Sequence, residues 1–156
     1  MLVEKPLAST LDQADELSAL ARARGLVLQV GHLERFSAAF QAIHGRVGAP
    51  LYVEAVRIAP FKPRGTDVSV ILDLMIHDID FVLSLIDSEV VGVDAVGAPV
   101  ASPHEDIANA RLRFANGAVA TIVASRVSLK AERRMRLFGQ EGYLNVDFSA
   151  RRMTAI

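Results

Sequence analysis

Five runs of strand-like sequence occupy the second half of the chain, and they limit the possible folds more than any other feature. These runs alternate apolar and polar residues, except that residues 118–124 are apolar on both faces. Alternation with a period of two is typical of strands that bury one face and expose the other. The dipeptide Asn116-Gly117 separates two of the runs and is a strong signal for a two-residue hairpin turn. A largely antiparallel sheet is therefore predicted, with strands at residues 90–96, 107–115, 118–126, 133–138 and 143–148.

Two helical patterns and one further strand precede these runs. The first helix is predicted at residues 34–47, where apolar residues recur at helical spacing. A strand is predicted at residues 51–58, and a second helix runs from a cap at Ser69 to about residue 86. Together these elements predict an α+β domain in which a mostly antiparallel sheet is backed by helices.

The first 31 residues have a different pattern, which is strand, helix, strand. Leu2-Val3 is the end of a strand, a helix is predicted at residues 11–24, and residues 26–31 form an apolar strand. Strands joined by a helix in this way pair in parallel. Because two parallel strands do not make a stable sheet, we interpret residues 1–31 as the tail of a doubly wound α/β domain and residues 32–156 as a second domain.

The composition argues against several classes of function. The 156 residues carry a formal net charge of -1, and the basic residues form no long patch, which argues against a nucleic-acid partner. No apolar run approaches the roughly 20 residues that a membrane-spanning helix needs, so no membrane partner is expected. The absence of cysteine excludes disulfides and thiolate chemistry, and it fits a reducing, cytoplasmic location.

A cluster of charged side chains lies in the most apolar stretch of the chain, within the sequence DLMIHDID. At about 100° per residue, four side chains share one narrow stripe of the predicted helix: Asp73, His77, Asp80 and Ser84. Asp78 lies off this stripe. The stripe either faces water or forms the wall of a cleft. Solvent faces usually recruit better helix formers than aspartate and histidine, so we favour the cleft.

The residue types in this stripe point to proton transfer. Histidine titrates near neutral pH and can take a proton from an alcohol. Asp73, one turn before His77, can orient the imidazole or accept a hydroxyl of a substrate. A carboxylate and an imidazole one turn apart can also share a metal ion, but a third and a fourth ligand are not evident. We therefore predict an acid–base site and no metal site.

Two short segments at the carboxyl ends of the predicted parallel strands are further candidates. Glu4-Lys5-Pro6 follows the first strand directly, where open α/β sheets bind their ligands. A lysine there can stabilise an alkoxide or a carbonyl oxygen. His32 follows the second strand, within the segment GHLERF. The alternatives are a solvated surface lysine and a loop that only leads into the next helix.

The ordered combination of Glu4-Lys5-Pro6, GHLERF and the Asp73-x-x-x-His77 pair resembles the glucose-fructose oxidoreductase / inositol dehydrogenase family, often called Gfo/Idh/MocA. The resemblance implies that residues 1–31 are the C-terminal remnant of a truncated Rossmann-type dinucleotide-binding domain. Residues 32–156 would then form a substrate-binding and oligomerisation domain that is incomplete at its C-terminus.

The resemblance also implies roles for individual residues. Lys5 and His77 would flank the reacting carbon, with His77 as proton acceptor or donor and Asp73 beside it. NAD or NADP would take the hydride, the substrate would be a sugar or a nucleotide sugar, and the sheet would join copies into a homo-oligomer. The expected cofactor-binding residues are Glu4, Lys5, Pro6 and His32, and the expected substrate-binding residues are Arg35, Arg57, Arg64 and Asp80.

Two longer segments resemble one branch of this family. Residues 60–80 and 106–128 are similar to the UDP-N-acetylglucosamine 3-dehydrogenases, which oxidise the C3 hydroxyl of the sugar to a ketone. In such an enzyme Arg57, Lys62 or Arg64 would meet the diphosphate of the substrate, because arginine and lysine suit that contact.

The chain departs from the family because it contains no G-x-G-x-x-G fingerprint for a dinucleotide. We therefore expect a fragment, produced by truncation, a late start codon or a partial gene model. This fragment should not bind NAD or NADP by itself and should be inactive alone. The alternative function is a non-catalytic oligomerisation or binding domain.

Overall fold

The computed structural model of the protein describes residues 1–44, 46, 48–63 and 65–156. These residues divide into two units, Met1–Leu33 and Glu34–Ile156. No helix in the described part of the chain is long and apolar enough to cross a membrane.

The first unit contains one strand–helix–strand motif, as the sequence predicts. Its elements are β1 (Leu2–Glu4), α1 (Leu11–Ala23) and β2 (Gln29–Gly31). The two strands pair in parallel. Thr10 caps α1, because its side chain accepts a hydrogen bond from the backbone N–H of Gln13 at 3.3 Å. Gly25 follows the helix with a φ of +61°, which is the left-handed conformation that glycine adopts at helix ends.

The second unit is built on a seven-stranded sheet in the order β4-β5-β6-β3-β7-β8-β9. Only β3 and β6 pair in parallel, and the other neighbours are antiparallel. The mostly antiparallel sheet is therefore confirmed, although the last strand was not expected from the sequence. The strands are β3 (Tyr52–Ile58), β4 (Val90–Ala98), β5 (Ile107–Phe114), β6 (Val119–Ser125), β7 (Glu132–Gly139), β8 (Gly142–Asp147) and β9 (Arg152–Ala155).

The helix predicted at residues 34–47 is shorter in the structure. A 3₁₀ turn spans Leu33–Phe36, and α2 covers Ala38–Ile43. The division occurs at Ser37, whose hydroxyl accepts a hydrogen bond from the N–H of Phe40 at 3.2 Å and so starts a new helix. His44 has a ψ of 122°, which is extended backbone and ends α2.

The helix that carries the DLMIHDID sequence is not a regular α-helix throughout. Ser69 caps its start, as predicted, by accepting from the N–H of Leu72 at 3.4 Å. A π-helical turn at Ile71–Met75 then leads into α3 (Ile76–Leu85). Because a π turn bonds residues five apart, the 100° spacing does not hold across it. Asp73 lies in this turn and His77 lies in α3, so the regular spacing from which the stripe was predicted does not apply between these two residues.

The core of the second unit lies between the two helices and one face of the sheet, which we call the inner face. Strand alternation places every second residue of β3, β5, β6 and β7 on this face. Fully buried members from the helices include Ile43, Met75 and Val82, and the sheet supplies Val53, Ala55, Ala120, Ile122, Ala124, Met135, Leu137 and Leu144.

Candidate active site

A row of charged residues lies at one end of the inner face, and we call it the charged row. Its members continue the buried alternation of four neighbouring strands: Asp106 before β5, Arg126 after β6, Arg57 near the end of β3 and Arg133 near the start of β7. The sheet order places β5, β6, β3 and β7 side by side. Arg57 lies directly opposite Arg133 in the β3–β7 register. The backbone N–H of Arg126 donates to the carbonyl oxygen of Asp106 at 2.9 Å.

Asp106 and Arg126 form a buried ion pair. Nε of Arg126 donates to Oδ1 of Asp106 at 2.7 Å, and the side chains are 5% and 0% exposed respectively. The other carboxylate oxygen accepts from the backbone N–H groups of Val100, Ala101 and Ser102 at 2.6–2.8 Å. Burial alone would raise the pKa of Asp106, but these N–H groups and the Arg126 guanidinium outweigh burial and lower the pKa well below its usual range.

The same arginine holds the loop that contacts Asp73. Nη1 of Arg126 donates to the carbonyl oxygen of Gly65 at 2.5 Å. Gly65 has a φ of +77°, and a Cβ at this position would lie 3.0 Å from Oδ2 of Asp73. Glycine is therefore required by both the backbone and the contact. A cavity of about 230 Å³ opens here, lined by Ala59, Pro60, Lys62, Gly65, Asp73, Leu74 and Arg126.

The other half of the charged row places two like charges on neighbouring strands. Arg57 and Arg133 lie opposite each other, which is destabilising unless anions lie between them. Glu34 supplies this charge, since its carboxylate accepts from Nη1 and Nη2 of Arg57 at 3.2 and 3.0 Å and also from Nη2 of Arg133. Asp78 binds the remaining side of Arg57, at 2.7 Å from Nε and 3.0 Å from Nη2.

His77 lies at the edge of this ion network. Its Nδ1 is 3.7 Å from Oε1 of Glu34, and the two side chains are 18% and 21% exposed. Burial would raise the pKa of Glu34, but the hydrogen bonds and charge of Arg57, with the charges of Arg133 and His77, outweigh burial and lower the pKa. Burial and the positive charge of Arg57 lower the pKa of Arg133. Because its pKa is lowered, the carboxylate of Glu34 stays ionised beside the imidazole of His77.

Two of the expected substrate-binding residues contact each other. Nε and Nη2 of Arg35 donate to the two carboxylate oxygens of Asp80 at 2.8 and 2.6 Å. Asp80 is buried, whereas the Arg35 side chain is 45% exposed. Arg57 is 11% exposed and its nitrogens donate to Glu34 and Asp78, so the structure gives it carboxylate partners. Arg64 lies outside the described residues.

The candidates in the first unit lie where the sequence predicts them, at the carboxyl ends of the parallel strands. Glu4 is the last residue of β1 and pairs with Gly31, the last residue of β2. Lys5-Pro6 and His32 follow directly, so their backbones leave the same edge of the strand pair. A Cβ on Gly31 would lie 3.3 Å from Oε2 of Glu4, which shows how closely Glu4 covers this edge.

The described residues of the first unit do not fit the pyrophosphate of a dinucleotide. Such a cradle needs close approach of the backbone and helix N–H groups that can face the phosphates. The connection at residues 5–10 contains no glycine, and the first turn of α1 carries Asp12, whose charge opposes a phosphate. Among the residues that the structure describes, no group of three or more histidine, aspartate or glutamate side chains is arranged to hold a metal ion.

Sequence reasoning missed the ion partners of this site, namely Glu34, Asp78 and Arg133. Asp78 lies off the predicted stripe, yet it is buried. A usable signal was present in the strands. Arg57 follows Val53 and Ala55 in strict alternation, and Arg133 precedes Met135 and Leu137 in the same way. A charged residue that continues a buried alternation has to meet a partner on the inner face.

Comparisons with known proteins agree with this architecture. Residues 36–145 match the GFO/IDH/MocA C-terminal domain. Over 148 residues the chain is 47% identical to UDP-N-acetylglucosamine 3-dehydrogenase of Acidithiobacillus ferrooxidans, which covers 94% of this chain and 47% of the relative. Over 158 residues it is 27% identical to scyllo-inositol 2-dehydrogenase (NAD(+)) of Bacillus subtilis, covering 91% of this chain and 46% of the relative.

A solved structure gives the same result. UDP-N-acetylglucosamine 3-dehydrogenase GnnA from Acidithiobacillus ferrooxidans superimposes with a TM-score of 0.88 at 44% identity, covering 99% of this chain and 51% of that chain. The chain thus spans about half the length of the curated relatives it matches. The domain match and the near-complete coverage of this chain show that it belongs to the GFO/IDH/MocA family.

Proposed function

We propose that this chain carries the substrate-side catalytic residues of an NAD(P)-dependent dehydrogenase that oxidises a secondary hydroxyl of a sugar or a nucleotide sugar. The observation that carries the proposal is the position of His77. The residue lies near the start of α3, is mostly buried, and has its Nδ1 3.7 Å from an ionised carboxylate. An imidazole held in this way can exchange a proton through its second ring nitrogen. Membership of the family supports the reaction type.

The proposed reaction removes a hydride from the carbon and a proton from the hydroxyl of one alcohol, leaving a ketone. The nicotinamide of NAD or NADP, when bound, accepts the hydride. His77 takes the hydroxyl proton as the carbonyl forms, because histidine is the side chain whose ordinary pKa lies near neutrality. By resemblance to the family, Lys5 stabilises the oxygen with its charge. Asp73 holds a substrate hydroxyl or the imidazole.

We propose UDP-N-acetylglucosamine, oxidised at C3, as the substrate, since the 47% identical relative bears that name. The half-exposed guanidinium of Arg35, fixed by Asp80, is proposed to contact the substrate. The cavity lined by Lys62 and Asp73 is proposed to bind other polar groups of the substrate. We propose that Arg57 holds the carboxylates of Glu34 and Asp78 and does not contact the diphosphate.

The test is a chimera in which the remaining N-terminal part of the Acidithiobacillus relative is joined to this chain. We expect NAD(P)H formation with UDP-N-acetylglucosamine, and a fall in kcat of roughly 10²–10⁴-fold for His77→Ala, the usual worth of a general base. His104→Ala is the matched control, because its side chain is exposed. A chimera that oxidises no sugar or nucleotide sugar would refute the function. A fall below about tenfold would refute His77 as the base.

We propose that NAD or NADP belongs to the complete enzyme and does not bind this chain alone. The support is the poor fit of the turn at residues 5–10 and of α1 to a pyrophosphate. Glu4, Lys5, Pro6 and His32 are proposed to contact the cofactor in the complete enzyme. Calorimetry of the purified chain with NADH and NADPH should show no binding, and micromolar binding would contradict the proposal.

We also propose that the outer face of the sheet contacts a second copy of the chain. The apolar run in β6 continues onto this face through half-buried Val119 and Val123. Val96 of β4 lies opposite Asn109 on this face and is 74% exposed. One helix layer covers only the inner face, and apolar area left in water favours association. Sedimentation should reveal a dimer or a larger assembly, and a strict monomer would count against the proposal.

A further inference from the structure

We propose that Glu34 is a positioning residue for His77, whose carboxylate faces Nδ1 of the imidazole and stabilises the protonated ring. The catalytic meaning of this contact rests on the proposed function, whereas the contact itself does not. Glu34 had no role in the sequence-based prediction, which assigned the orienting carboxylate to Asp73. The assignment adds a second carboxylate to the site, contributed by the segment that precedes α2.

The position of Glu34 follows from the like charges of the charged row. Arg57 and Arg133 lie opposite each other on β3 and β7, and their repulsion is relieved only by an anion placed between them. Glu34 binds both, through two hydrogen bonds from Arg57 and one from Arg133. A carboxylate held by three donors has little freedom to rotate. Its Oε1 atom is therefore fixed at 3.7 Å from Nδ1 of His77.

The distance decides how Glu34 acts. At 3.7 Å the two atoms are too far apart for a hydrogen bond but close enough for a charge interaction between partly buried groups. The charged groups that surround the imidazole come from five elements. These are Glu34 from the 3₁₀ turn, Arg57 from β3, Arg133 from β7, Asp78 and Asp80 from α3, and Asp73 from the π turn. Asp78 and Asp80 are engaged by Arg57 and Arg35.

The sign of the effect follows from these charges. The two arginines oppose a positive charge on the nearby imidazole, and Glu34 is the anion that lies between them and His77. When His77 accepts a proton from the alcohol, the carboxylate lowers the free energy of the imidazolium. Arg57 and Arg133 keep Glu34 itself ionised, since they lower its pKa. The arginines thus support the base through the carboxylate that they hold.

The test is an NMR titration of the histidine rings in the chain as it stands, with the His77 signals assigned from their loss in His77→Gln. In Glu34→Gln the titration midpoint of the His77 ring should move to lower pH by about 0.5–1 unit, because an opposite charge nearby favours the charged form. The matched control is Glu54→Gln. Glu54 pairs with Arg136 across the same two strands but on the outer face, so its removal should leave the midpoint unchanged.

A second variant keeps the inference testable if Glu34→Gln does not fold. Arg133→Met removes a cation that opposes the imidazolium directly, while Arg57 still holds Glu34 through two hydrogen bonds. The His77 midpoint should therefore move in the opposite direction, to higher pH. An unchanged midpoint in the folded variants overturns the role of Glu34. Failure of the chimera to oxidise a sugar with the expected midpoint shifts present would overturn the proposed function and leave the Glu34–His77 contact standing.

Discussion

The two halves of the charged row stabilise their buried charges in different ways. In one half, Asp106 and Arg126 lie opposite each other with opposite charges, and both side chains are almost completely buried. In the other half, Arg57 and Arg133 lie opposite each other with the same charge and are 11% and 34% exposed. The first half neutralises itself within the sheet, and the second half requires anions from outside the sheet.

This difference determines what each half can do. Every guanidinium nitrogen of Arg126 donates to an acceptor, in Asp106, Gly65, Ser102 or Glu105. This half, which we call the closed half, therefore fixes loops, and four of the five guanidinium N–H groups are used in doing so. The second half, which we call the open half, binds Glu34 and Asp78. The carboxylate of Glu34 also lies near His77 and brings it into the network. Open charge networks of this kind are typical of functional sites.

The largest expected effect comes from breaking the closed half. Arg126→Met removes the guanidinium and leaves Asp106 charged and buried, so the free energy of unfolding should fall by about 3–5 kcal/mol. Urea denaturation followed by circular dichroism measures the change. The control is Arg134→Met, because Arg134 pairs with Glu132 at the surface, where an ion pair contributes about 1 kcal/mol or less. Equal losses in the two variants would show that the buried pair has no special structural role.

Much of the fold follows from local sequence patterns. Alternation in the second half predicts the strands, and the Asn116-Gly117 turn joins β5 to β6 where it was expected. The parallel pairing of β3 with β6 was not predictable, because these strands are distant in sequence and both read as half-buried strands. The last strand, Arg152–Ala155, was missed because it is short and because the turn before it contains no glycine, asparagine or proline. Local sequence patterns thus predict where strands lie better than they predict which strands pair.

A smaller effect is expected at the junction between the closed half and Asp73. Gly65→Ala places a Cβ 3.0 Å from Oδ2 of Asp73 and forces alanine to a φ of +77°. The unfavourable backbone alone should cost about 1–2 kcal/mol. Gly117→Ala is the matched control, since its φ is +88° and no atom lies within 4 Å of its Cβ. The difference between the two urea midpoints measures the contact with Asp73.

The outcome of this comparison has two readings. A larger loss for Gly65→Ala than for Gly117→Ala would mean that the loop presses on Asp73 in solution. Equal losses would mean that the loop moves away at little cost, and Arg126 would then hold the backbone of Gly65 without positioning Asp73.

The site was predictable where a motif carried it and unpredictable where folding assembled it. The sequence placed Lys5 and His32 at strand ends and His77 in an apolar helix, because each signal is local. It paired Asp73 with His77 by regular helical spacing, and the π turn removes that regularity. Glu34 and Arg133 are 99 residues apart in the chain, so only the folded structure brings them together. Long-range ion networks leave no local pattern beyond a charge in a buried alternation.

The smallest expected effect is a difference between the two halves in how much stability is lost at low pH. The pKa values of Asp106 and Glu34 are both lowered by folding, so each contributes stability at neutral pH that is lost as the pH falls below the ordinary carboxyl range of about 4. Asp106 accepts hydrogen bonds from three backbone N–H groups and from an arginine, whereas Glu34 is one-fifth exposed.

Asp106→Asn should therefore flatten the acid limb of the stability curve clearly. Glu34→Gln should flatten it less, because Glu34 is one-fifth exposed and Asp78 still neutralises part of the charge of Arg57. Urea midpoints between pH 2.5 and 7, on the order of the range in which carboxyl groups titrate, measure both limbs. If Glu34→Gln flattens the curve as strongly as Asp106→Asn, the open half is as structural as the closed half, and its assignment to chemistry loses this support.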